Sequence, residues 1–143
     1  MKKRSCAGFT LIELMVVAII VAILAAVAIP LMSANRKRAM STEGDAGLGM
    51  LRSSLRAMYA ETGSYLLTPS GSNMVPAANY PAVNIPGVGQ SDLDGKYFQH
   101  GDYYYISGDT NHYTVSVVGN ATSAVAGVTI TLNQDGNFTR IGL

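Results

Sequence analysis

The sequence predicts an α+β fold: a long N-terminal helix, apolar in its first half and amphipathic in its second, packed on an antiparallel β-meander of three to four strands. Three observations predict it. An almost unbroken apolar run, Phe9–Met32, covers 24 residues with Glu13 as its only charge. Beyond it, Leu48, Leu51, Leu55 and Met58 recur at spacings of three, four and three, which places them on one face of a helix. Finally, four strand-like runs crowd the last third of the chain: Tyr103–Ser107, Tyr113–Val118, Gly127–Leu132 and Phe138–Ile141.

The first element is a helix from about Phe9 to about Thr62. At ~1.5 Å rise per residue its apolar part is about 36 Å long, enough to cross a ~30 Å hydrocarbon core. Pro30 removes one backbone donor and is expected to kink or loosen the helix locally. Arg52, Ser53, Arg56 and Glu61 fall largely off the apolar stripe. Gly44, Gly47 and Gly49 each cost ~1 kcal/mol relative to alanine, so the middle is weakly helical on propensity alone. Close packing and bending are both open explanations for them. Gly63 is a candidate C-cap.

A connecting loop is expected over residues 63–99, which hold four of the five prolines and many Gly, Ser and Asn residues. The sheet then occupies residues 100–143. Gly108-Asp109-Thr110-Asn111 marks one turn, and Asp135-Gly136 between the last two strands is a strong hairpin signal. Tyr103, Tyr104 and Tyr105 alternate faces, so two point one way and one the other.

The carboxylate in the apolar run demands an explanation. A charge at mid-bilayer costs ~2.5–3.5 kcal/mol on insertion scales, but Glu13 lies only one turn into the run and can snorkel to the interface. Alternatively, cleavage after Gly8 would free an α-amine on Phe9. A protonated amine on one subunit would then neutralise Glu13 of its neighbour. Both readings stay open on spacing alone. A secretory signal peptide would have a shorter apolar core with a small-residue cleavage site behind it. Lys2, Lys3 and Arg4 flank one end of the run and Arg36, Lys37 and Arg38 the other, so counting cations barely orients the segment.

Gly8–Pro30, beginning Gly-Phe-Thr-Leu-Ile-Glu and ending Ala-Ile-Pro, closely resembles the processing site of type IV pilins and their pseudopilin relatives. The resemblance implies a pilin-like fold and a prepilin peptidase that cuts between Gly8 and Phe9 and N-methylates Phe9. It makes Glu13 the acidic residue at the fifth mature position, which sets assembly register, and Pro30 the helix-loosening proline. The chain then divides into a leader, 1–8, a transmembrane and filament-core half-helix, 9–32, and a globular head, 33–143, whose amphipathic half-helix is 33–62.

The implied function is that of a structural subunit of a type IV pilus, not an enzyme. It would be polymerised through its N-terminal helix into a surface filament for adhesion, twitching motility or DNA uptake. Expected partners are the prepilin peptidase, further copies of the chain, pilus assembly platform proteins and, before assembly, inner-membrane lipid. The precursor would cross the inner membrane once with its head in the periplasm, and the assembled filament would be extracellular. Two alternatives are a pseudopilin in the periplasmic filament of a type II secretion system and a signal-anchored binding protein that never polymerises.

Other features narrow these classes. The chain has ten basic and nine acidic residues. Removing Lys2, Lys3 and Arg4 leaves seven basic against nine acidic, a balance of −2, which argues against specific nucleic-acid binding. Cys6 is the only cysteine and would leave with the leader, so no disulfide would staple the head. Many type IV pilins close a C-terminal loop with one, and this chain departs from that pattern. Asp92-Leu93-Asp94-Gly95 resembles a fragment of a calcium loop, but without the distal bidentate acid. Asp92 and Asp94 are therefore weak candidates for calcium, and no other cofactor is expected. His100 and His112 read as surface or strand-edge residues, and Arg36–Arg38 as helix-surface cations available to a neighbour's acids or to phosphate. Asn120-Ala121-Thr122 and Asn137-Phe138-Thr139 are sequons. No grouping of Ser, His and Asp, phosphate-cradling glycine loop or zinc-spaced histidine pair is present in the sequence.

Overall fold

The structure, a computed structural model, describes residues 8–143. The leader residues Lys2, Lys3, Arg4 and Cys6 lie outside the described residues. Two compact units divide at Arg36 and Lys37.

Helix α1 spans Leu11–Thr62 without interruption and contains Pro30. It starts two residues later than the apolar run because Thr10 caps it, and it ends where expected. Gly63 takes φ +72°, a left-handed conformation that a side chain would resist, and its N–H donates to the Tyr59 carbonyl at 2.8 Å.

In the first unit the described residues are Gly8, Phe9 and Thr10 and the start of α1. Each large apolar side chain from Phe9 to Met32 is at least 50% exposed, Phe9 reaching 83%.

In the second unit, Lys37–Leu143, the predicted stripe is the spine of the core. Leu48, Leu51 and Leu55 are fully buried and Met58 is 2% exposed. Strands β1 (Tyr103–Gly108), β2 (Tyr113–Val118), β3 (Thr129–Asn133) and β4 (Phe138–Ile141) form an antiparallel sheet in the order β1-β2-β3-β4. β1 runs one residue further than predicted and carries a bulge between Tyr105 and Ser107; β3 starts two residues later. Tyr103, Tyr105, Val115, Val117, Ile130 and Leu132 point into the core, and Tyr104 faces the other way, as strand alternation requires.

The glycines of α1 resolve into two kinds. A Cβ on Gly44 would lie 3.1 Å from Val117 and 3.2 Å from Ile130 and Phe98, and one on Gly47 would collide with the Tyr103 ring. These two let helix and sheet approach closely. Gly49 has open space around it.

The connection over 63–99 is more structured than its composition indicates. It holds a 3₁₀ turn at Ala82–Asn84 and a short helix, α2, at Gln90–Leu93. Its Met74, Ala82, Ile85, Leu93 and Phe98 are buried in the core. Pro and Gly counts register backbone punctuation, whereas the isolated apolar residues between them carry no periodicity that would reveal their burial.

Candidate functional site

The N-terminal segment is organised by one polar cluster. Gly8, Phe9 and Thr10 precede the helix, and Gly8 has nothing close to it. The Thr10 N–H and hydroxyl donate to Glu13 Oε2 at 2.8 and 2.9 Å, while the Glu13 N–H donates back to Thr10 Oγ1 at 3.3 Å. This is a capping box, in which each side chain satisfies a backbone donor that the first helical turn leaves orphaned. The signal was legible as Thr10-x-x-Glu13, and attention to the charge of Glu13 alone passes over it. The box uses Oε2 for both bonds from Thr10; Oε1 accepts no hydrogen bond among the described residues. Glu13 thus fixes the first turn within its own chain and keeps an oxygen for another donor.

Pro30 lies 17 residues beyond Glu13, about 25 Å along a helix. The helix continues through it, and the Ser33 hydroxyl donates to the Pro30 carbonyl at 2.8 Å. Glu13 is thus tied to Thr10, Gly8 and Phe9 precede that pair in sequence without a recorded contact to it, and Pro30 stands apart.

In the second unit Asp92 and Asp94 each act within the fold. Asp92 Oδ2 accepts the Gly89 N–H at 2.9 Å, capping α2. Asp94 Oδ1 accepts the His100 N–H at 2.8 Å and lies 2.7 Å from its ring Nδ1. The bond from the His100 N–H, then that from its ring, holds the Asp94 carboxyl below the usual aspartate range. His112 pairs similarly with Asp109 at 3.1 Å, and Asp109 is lowered first by the Asn111 and His112 N–H groups. No group of three or more metal-ligating side chains occurs among the described residues.

Sequence reasoning missed Glu43. Its Oε1 accepts the N–H groups of Tyr97 and Phe98 at 2.7 and 2.8 Å, tying the end of the connection to α1. Its partners are 54 and 55 residues away, so no local spacing could have found it.

Residues 3–29 match the prokaryotic N-terminal methylation motif, a stretch that contains Gly8, Phe9 and Glu13. The fold is similar to that of the non-core minor pilin PilV of Neisseria meningitidis, with a TM-score of 0.50 over 76% of this chain and 90% of that one, at 16% identity. This is a pilin fold behind an N-terminal methylation motif. Motif and fold together support the type IV pilin and pseudopilin family. No curated protein sequence matches the chain. The pilin-like α+β architecture is thus found as expected, with four strands in its sheet. α1 is also the one described helix long and apolar enough to cross a membrane.

Proposed function

We propose that the chain is a structural subunit of a type IV pilus. In this reading a prepilin peptidase cuts between Gly8 and Phe9 and methylates the Phe9 amine, and the subunits then polymerise through their apolar half-helices. The observation that carries it is the run of large apolar side chains from Phe9 to Met32, each at least half exposed and starting inside the methylation motif. Such a surface must be covered by lipid before assembly and by other subunits after it. In lipid, helix association gains little from apolar burial, but once extruded into water the same contacts are held by it, at roughly 25 cal/mol per Å². Head-to-tail contacts of one surface on another do not close, so they build filaments.

The polypeptide supplies no chemistry in this scheme and requires no cofactor. Before assembly it sits in the inner membrane with its head in the periplasm, and assembly platform proteins extract it. Glu13 meets the Phe9 amine of an adjacent subunit through the oxygen its capping box leaves free, which sets the register.

Mass spectrometry of sheared surface material, reading the N-terminal peptide, tests this. N-methylated Phe9 in abundance is expected. Methylated Phe9 confined to the membrane fraction would instead assign a secretion pseudopilus, and retention of Met1–Gly8 an anchored protein that never polymerises.

A further inference from the structure

A cleft of about 230 Å³ in the Lys37–Leu143 unit is walled by Glu43, Gly47, Asp92, Asp94 and Tyr103, among others. Each of its three carboxylates uses one oxygen inside the fold: Glu43 Oε1, Asp92 Oδ2 and Asp94 Oδ1. The second oxygen of each takes no hydrogen bond or ion pair among the described residues. Tyr103 is 1% exposed, yet its hydroxyl, which reaches this cleft beside Gly47, has no hydrogen-bond partner among them either. Burial first, and then the nearby Glu43 and Asp102, push this phenol well above its ordinary range, so it remains a neutral donor and acceptor. No Lys or Arg is paired with these acids; among the described residues the one ion pair made by Arg or Lys joins Arg140 to Asp45.

Arg36, Lys37 and Arg38 form no ion pair among the described residues, and Arg36 and Arg38 are exposed. We propose that the carboxylate cleft receives the Arg36–Arg38 segment of a second copy of this chain. A guanidinium offers five donors in a planar fork, which suits several carboxylate oxygens and a phenol at once. The spacing along α1 fits as well. Arg36 and Arg38 precede Glu43 by seven and five residues, about 7.5–10.5 Å of helix rise. A neighbour displaced by one to two helical turns toward the C-terminal end therefore brings its Arg36–Arg38 segment to the level of the cleft. The proposal rests on the polymerisation reading above and names the head contact that accompanies it.

Charge reversal and its compensation in the full chain, expressed with its assembly machinery, test it. Arg36→Glu/Lys37→Glu/Arg38→Glu and Asp92→Lys/Asp94→Lys are each expected to lower filament yield about tenfold or more, since juxtaposed like charges cost several kcal/mol. Their combination is expected to restore most of the yield. Asp92→Asn/Asp94→Asn, which keeps an acceptor for the Gly89 and His100 N–H groups, guards against a misfolded head and is expected to weaken assembly in the same direction. Wild-type yield from the triple reversal overturns the proposal and leaves the pilin reading standing. A loss that appears already as poor membrane insertion, and that the combination does not rescue, assigns the cations to lipid phosphate and also overturns it. A rise in the head's thermal midpoint with calcium alone, with assembly indifferent to charge reversal, gives the cleft to a metal instead. A wild-type chain that forms no polymer removes the pilin reading itself.

Discussion

Two glycines two residues apart in α1 have opposite consequences. Alanine at either gains ~1 kcal/mol of helix propensity. At Gly49 nothing opposes that gain, so Gly49→Ala is expected to stabilise the head by up to about 1 kcal/mol. At Gly47 the added methyl collides with the Tyr103 ring, and overpacking a filled site costs about 1–3 kcal/mol, so the sign reverses. Thermal unfolding of the detergent-solubilised full chain, followed by tyrosine near-UV circular dichroism, separates the two; equal shifts would refute the close approach of helix and sheet. Glu13 also has two roles that substitution divides. Glu13→Gln keeps an acceptor for the Thr10 cap but loses the charge, whereas Glu13→Val loses both. Filament yield from the glutamine variant as poor as from valine assigns assembly to charge, and normal yield reduces Glu13 to a cap. The sequence makes the T-x-x-E box legible because its partners are three residues apart. Glu43 was illegible because its partners lie on a segment brought to it only by folding.

Among the elements, α1 is the most legible, since an apolar run and a three-four stripe are both local periodicities. The strands were nearly as clear, β2 and β4 to the residue, because turn chemistry brackets each. The buried residues of the connection were not, since they pack singly and share no period. Within α1, Pro30 leaves the carbonyl of Ala26 without its usual donor, a defect that lipid cannot repair by hydration. Amide hydrogen exchange in micelles is expected to be fastest within the apolar half around residues 26–30. Pro30→Ala is expected to slow it there; unchanged exchange would mean the proline introduces no local weakness.

On the scale of the head, stability is coupled to tyrosine ionisation. Burial raises the phenols of Tyr103, Tyr105 and Tyr113 above their usual value of about 10. The folded state therefore binds these protons more tightly than the unfolded chain. Their contribution is complete below the unfolded value and is lost as pH rises through and beyond it. The unfolding midpoint is expected to fall as pH rises above about 10, with part of the phenolate absorbance appearing only as the head unfolds. A titration in which all eight tyrosines ionise together near pH 10, with the fold intact, would contradict the burial described. The two borders of the sheet carry a different consequence. Tyr105 in β1 already spends its outward groups on the connection, its N–H donating to Tyr80 at 2.9 Å and its carbonyl accepting from Ala77 at 3.3 Å, and Pro81 bridges Tyr104. Among the described residues, β4 has β3 on one side and no strand on the other. Strand addition to this sheet is therefore hindered along the middle of β1 and open along β4.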